Sequence, residues 1–125
     1  MDLLVLQRRA VAAIATITVL TGAAQMVAGG PLLALIANVP SPLGAHLFAT
    51  VGMFMVLFGG ATLHAQRRRE ALPVVLLWGS LQKFLAAALV SWGVLRGAFV
   101  PLALTVAAFD LASGLLYWIL RRKEG

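Results

Sequence analysis

The chain contains no cysteine, so disulfides, thiol nucleophiles and thiolate metal sites are excluded. Acidic residues are scarce: Asp2, Glu70, Asp110 and Glu124 are the only four. The two histidines, His46 and His64, lie 18 residues apart in one apolar run. At 1.5 Å per helical residue that is about 27 Å, too far to share an ion. No Ser-His-Asp set, glycine-rich phosphate loop or pair of neighbouring carboxylates occurs. Neither a metal nor a cofactor is expected, and most enzyme classes lose their support. Charge of any sign is sparse as well, at 11% of the residues, under half of the roughly 25% usual in a soluble domain. A small water-soluble protein needs charge to cover its large relative surface. The solvent of this chain is therefore mostly lipid.

What the chain has instead is apolar sequence. Of its 125 residues 62% are hydrophobic, and the mean hydropathy is +0.98. A helix needs about 20 mainly apolar residues to cross ~30 Å of hydrocarbon. Four runs meet that length: 10–30, 43–65, 71–95 and 97–120. The first two hold no Asp, Glu, Lys or Arg, the third only Lys83 and the fourth only Asp110. These runs predict an all-α, integral membrane four-helix bundle, a single domain over residues 1–125. The 21 residues of 10–30 exceed the ~7–15 of a signal-peptide core. Pro31 after Gly29-Gly30 is expected to end the first helix. The apolar, uncharged stretch 32–37 should lie along the membrane interface. Gln66–Glu70 reads as a tight charged turn, and Arg96-Gly97 leaves almost no loop. Such short links give an up-down-up-down order.

Net charge is +6, with ten Lys and Arg. Eight of them fall in Arg8-Arg9, Arg67-Arg68-Arg69 and Arg121-Arg122-Lys123, between the apolar runs. The opposite connections carry only Arg96. This spacing is that of membrane orientation rather than of a nucleic-acid face, and no nucleic acid is expected as a partner. The positive-inside rule puts both termini in the cytoplasm of a cell with the chain in its inner (plasma) membrane. Trp92 near the outer end, and Tyr117 and Trp118 near the inner end, fit aromatic belts. Gly93 and Gly97 form a GxxxG, read first as packing within the bundle and second as a dimer face.

Lys83 and Asp110 are the only charges inside the runs. Counted from the turn at Gly97, Lys83 is 14 residues back and Asp110 is 13 forward. In an antiparallel hairpin both reach the same depth near the bilayer centre. Gly79, Ser80, Ala86 and Ala87 share the face of Lys83, while Ala107, Ser113, Gly114 and Tyr117 share that of Asp110. Such small-residue stripes face other helices. A lone charge at that depth costs at least ~2.5–3.5 kcal/mol, so an intramembrane ion pair is expected. Gln25, His46 and Thr50 all lie in the outer half and form a candidate outward-facing pocket.

In size, number of spans and N-terminal orientation the chain resembles small bacterial four-helix membrane proteins of the DoxX-like kind. It lacks the arginine-glycine signature of that kind early in the first helix. Small multidrug transporters share its size, but the glutamate of their first helix has no counterpart in 10–30. Small fluoride channels share it too, without their asparagine and paired phenylalanines appearing here. The resemblance implies the fold and the membrane location and assigns no site residue. Three functional readings follow. The first is a non-enzymatic protein, either an accessory subunit of a larger membrane complex or a binder of lipids or small hydrophobic molecules. The second is a small homo-oligomeric transporter or channel using Lys83 and Asp110. The third is a membrane enzyme acting on a lipid or quinone through Gln25, His46 and Thr50. Partners are membrane lipids together with a larger complex or further copies of the chain.

Overall fold

The computed structural model describes residues 2–124. These form five helices: α1 Leu3–Val27, α2 Gly29–Ile36, α3 Pro42–Ala65, α4 Leu72–Leu95 and α5 Ala103–Glu124. No strand occurs among the described residues, and the one β-bridge joins Ala37 to Phe99. The four longer helices are each long and apolar enough to cross a membrane.

Three boundaries differ from the sequence expectation for a local reason each, and α5 also runs on to Glu124 where 120 was expected. First, α1 begins seven residues early, at Leu3 rather than Ala10. Asp2 caps it by accepting from the Leu4 amide at 3.3 Å, and leucine, glutamine and arginine are good helix formers whatever their polarity. Secondly, the chain leaves the helix at Ala28 (φ −129°) rather than at Pro31. Pro31 sits instead in the first turn of α2, where its missing N–H costs nothing. Thirdly, α5 begins at Ala103, so residues 96–102 form a real loop. Gly97, at φ +80°, takes the left-handed position that ends α4. The loop then folds back on α4, the amides of Ala98 and Phe99 donating to the Gly93 carbonyl at 2.8 and 3.2 Å.

The packing runs in two tight pairs, α1 on α3 and α4 on α5, with thinner contact between the pairs. Small residues let each pair close. A Cβ on Gly22 or Gly52 would strike the other's backbone carbonyl, and one on Gly59 would lie 2.8 Å from the Ala15 carbonyl. Across the second pair, Gly79 gives room to the Tyr117 ring and Gly114 to the Phe84 ring. Gly93 accommodates Phe99 of its own loop, so the GxxxG serves a turn within the chain rather than a helix crossing.

One cluster joins all four long helices: Val11, Ala65, Leu72, Leu76, Tyr117 and Leu120. Ion pairs close the same end. Glu124 takes Arg8 at 2.5 Å and Arg69 at 3.3 Å, Gln66 donates to the Arg8 carbonyl at 3.2 Å, and Lys123 donates to Gln7 at 2.9 Å. At the other end backbone joins backbone. Val100 donates to the Ile36 carbonyl at 2.7 Å and Asn38 to that of Ala98 at 3.1 Å, while the Asn38 amide reaches the Gly97 carbonyl. Large apolar side chains such as Leu20, Phe54, Trp78, Leu85 and Leu111 stay exposed around the circumference. The buried set includes Thr18, Gln25, Thr62, Ser80, Lys83 and Ser113. Large apolar side chains outside, with buried polar groups beside the apolar cluster inside, fit a protein whose surroundings are lipid.

Candidate functional site around Lys83

Lys83 is 3% exposed and lies on the face of α4 that also buries Gly79, Ser80 and Ala87. Its Nζ stands 4.0 Å from Asp110 Oδ1 on α5. The register that brings the two side chains together is not a tight turn at Gly97. Because the loop folds back, Phe99 is level with Gly93. Lys83 lies ten residues before Gly93 and Asp110 eleven after Phe99, and equal depth is recovered by that route.

The pair is only part of the site. Lys83 Nζ also donates to Thr18 Oγ1 of α1 at 3.3 Å. That hydroxyl in turn donates to the Ile14 carbonyl at 2.9 Å, so it is free to accept from the lysine. Two aromatic rings complete the enclosure, Tyr117 with its centroid 5.3 Å from Nζ and Phe109 at 5.8 Å. Both distances fall within cation–π range. The ammonium is therefore held by a carboxylate, a hydroxyl and two π faces drawn from α1 and α5. Lys83 ties the first helix pair to the second.

Tyr117 is a correction to the belt expectation. It is 2% exposed and belongs to the core, with Thr62 beside its hydroxyl. Its position four residues after Ser113, on the stripe of Asp110, was the stronger signal. Trp92 and Trp118 do carry cations, Arg96 at 5.3 Å and Arg121 at 5.0 Å from their rings. Thr18 is the residue that sequence reading missed. Its signal is a hydroxyl near the middle of α1, at the depth where a lysine on another helix needs an acceptor.

Gln25, His46 and Thr50 share no hydrogen bond between their side chains among the described residues. Gln25 is buried against α3, its Nε2 donating to Met55 Sδ at 3.4 Å, and its Oε1 has no hydrogen-bond partner among the described residues. Thr50 donates to the His46 carbonyl of its own helix at 3.1 Å, and the His46 side chain is exposed. Two hollows in the surface contain none of these residues, nor Lys83 or Asp110. One, of about 700 Å³, lies at the arginine-rich end between α1 and α3. The other, of about 410 Å³, lies beside Trp92, Gly93 and Arg96. Among the described residues no group of three His, Asp or Glu comes together as metal ligands would. No protein-family model, curated protein or solved structure matches the chain.

Proposed function

We propose that the chain is a multi-pass protein of the inner (plasma) membrane that works by association rather than by catalysis. It is an accessory subunit of a larger membrane complex or a binder of lipids or small hydrophobic molecules. The bundle runs up-down-up-down with both termini in the cytoplasm. Support for that orientation is the gathering of Arg8, Arg69 and Glu124 at one end, which carries eight of the ten basic residues, against Arg96 alone near the other.

The observation that carries the functional reading is the enclosure of Lys83. Asp110, Thr18, Phe109 and Tyr117 already surround its ammonium, and neither hollow touches it. A translocation site needs its charge to face a passage, and a catalytic site needs convergent polar groups over a cavity. The membrane-enzyme reading further needs the side chains of Gln25, His46 and Thr50 to converge, and no hydrogen bond between two of those side chains occurs among the described residues. Native mass spectrometry of the protein purified under mild detergent tests the proposal. A stoichiometric protein partner or retained lipid supports it; a bare homo-oligomer that moves a charged solute in liposomes overturns it.

One observation favours the transporter reading in second place. Asp110 keeps 16% of its side chain exposed where Lys83 keeps 4%, and the adjoining Phe109 is 40% exposed. A second copy packed on that face of α5 would bring the pair into an interface between subunits.

A further inference from the structure

The hollow of about 700 Å³ between α1 and α3 is lined by Arg8, Arg9, Arg67 and Arg69. Of the acids at this end, Glu124 is already engaged, one of its oxygens taking both Arg8 and Arg69, and Glu70, exposed in the same turn as Arg67, makes no ion pair among the described residues. Arg9 and Arg67 have no carboxylate partner among the described residues. Two guanidinium groups without an ion-pair partner, one from α1 and one from the turn after α3, thus border a hollow that two further arginines make more positive. Arginine is the side chain suited to forked, charge-assisted hydrogen bonds to phosphate oxygens.

The rest of the lining says what carries the phosphate. Ala12 lies one turn beyond Arg9 towards the apolar middle of α1, and Leu63 one turn inside Arg67 on α3. On α1 and after α3 the arginines lie nearer the helix ends and Ala12 and Leu63 nearer the helix middles, the order in which a lipid presents headgroup and acyl chain; Val5 adds an apolar side chain on the outer side of Arg8 and Arg9. Basic pockets between membrane helices on the cytoplasmic side, where anionic lipids are enriched, are suited to such headgroups.

We propose that this hollow is a binding site for the phosphate of an anionic phospholipid, held by Arg9 and Arg67 with Arg8 and Arg69 behind them and its proximal acyl carbons against Ala12 and Leu63. The inference rests on the reading of the chain as a membrane-embedded bundle with its basic end in the cytoplasm. It adds a lipid class and a place.

The test uses the full chain in detergent micelles, titrated with phosphatidylglycerol or phosphatidylcholine of matched acyl chains and read by native mass spectrometry. Phosphatidylglycerol should bind the wild type more tightly. Near a membrane surface each arginine contributes ~1 kcal/mol, or about fivefold, so Arg9→Gln with Arg67→Gln should weaken binding on the order of 25-fold. Arg121→Gln with Arg122→Gln removes the same charge outside the hollow and should leave the preference in place. Equal binding of the two lipids, or equal weakening by both double variants, would overturn the site. Inorganic phosphate and glycerol phosphate are the soluble arms. If either displaces the lipid at equal concentration, the site takes free phosphate and the lipid assignment fails. Alkaline extraction of the same membranes keeps the underlying reading separate. A chain that resists extraction but shows no lipid preference refutes the site alone, whereas an extracted chain refutes the membrane reading.

Discussion

Replacing Lys83 by Met should destabilise the bundle far more when Asp110 is present than when it is absent. At the 4.0 Å separation of the pair, two unit charges attract by about 4 kcal/mol at an effective dielectric of ~20. Much of that is offset by the cost of keeping both charges out of water, and this cost remains when only one partner is removed. With Lys83→Met, Asp110 is left alone, and a lone charge at mid-membrane costs at least ~2.5–3.5 kcal/mol on insertion scales. With Asp110→Leu, Lys83 keeps Thr18 and two aromatic rings, and cation–π contacts of ~0.5–2 kcal/mol soften the loss. We expect about 3 kcal/mol for the first variant and about 2 for the second. The double variant should lose under ~2 kcal/mol, because an apolar pair of similar volume carries no desolvation cost. The assay is reversible unfolding in mixed micelles, with all four corners of the cycle measured under one condition. Independent sites add within ~0.3–0.5 kcal/mol. Additivity inside that margin would refute the coupling, and a larger loss on removing Asp110 than on removing Lys83 would refute the part assigned to Thr18 and the rings.

Three further outcomes follow from the same geometry. Thr18→Val keeps the shape but takes the acceptor from the buried ammonium, and should cost about 1.5–3 kcal/mol in the same unfolding assay; a change below ~0.5 would remove Thr18 from the site. Gly59→Ala and Gly60→Ala, one residue apart, should have opposite effects, because a Cβ on Gly59 meets Val19 and the Ala15 carbonyl whereas one on Gly60 meets nothing within 4 Å. The first should lose ~1–3 kcal/mol through helix separation and the second gain up to ~1 kcal/mol of helix propensity, read as a difference in unfolding midpoint. The absence of native cysteine allows single-cysteine mapping: Val39→Cys, at an 85% exposed position, should react with a membrane-impermeant reagent on intact cells, and Arg68→Cys should not. The reverse pattern would invert the topology.

The four spans could be read from the sequence because charge-free stretches of 20 or more residues have few other uses. The proximity of Lys83 and Asp110 was equally open to reading, since two isolated charges of opposite sign in apolar helices are stabilised by meeting. The ends of the spans were harder to see, because helix propensity and capping decide them and hydropathy does not report either. Asp2 and the leucines after it extend α1, and the fold-back of Phe99 onto Gly93 delays α5. Equal depth for the pair was thus reached from a turn that the chain does not make. Direction around a helix was the other gap. Thr21 and Gln25 are one turn apart, yet Gln25 is buried and Thr21 exposed. His46 and Thr50 likewise serve their own helix surface. Whether a hydroxyl turns to a distant lysine, as Thr18 does, or to its own backbone, as Thr50 does, depends on helix pairing that a single span does not encode.

The central claim is that the charges inside the membrane serve the architecture of the bundle. The measurement that tests it most directly is the activity of the double variant Lys83→Met with Asp110→Leu in cells that lack the native chain. A role in the fold alone predicts that the variant inserts, melts within a few degrees of the wild type and restores the phenotype. A variant that is folded and present at normal levels in the membrane yet fails to restore it would contradict the claim, and would assign the pair to a path or binding site for a charged species.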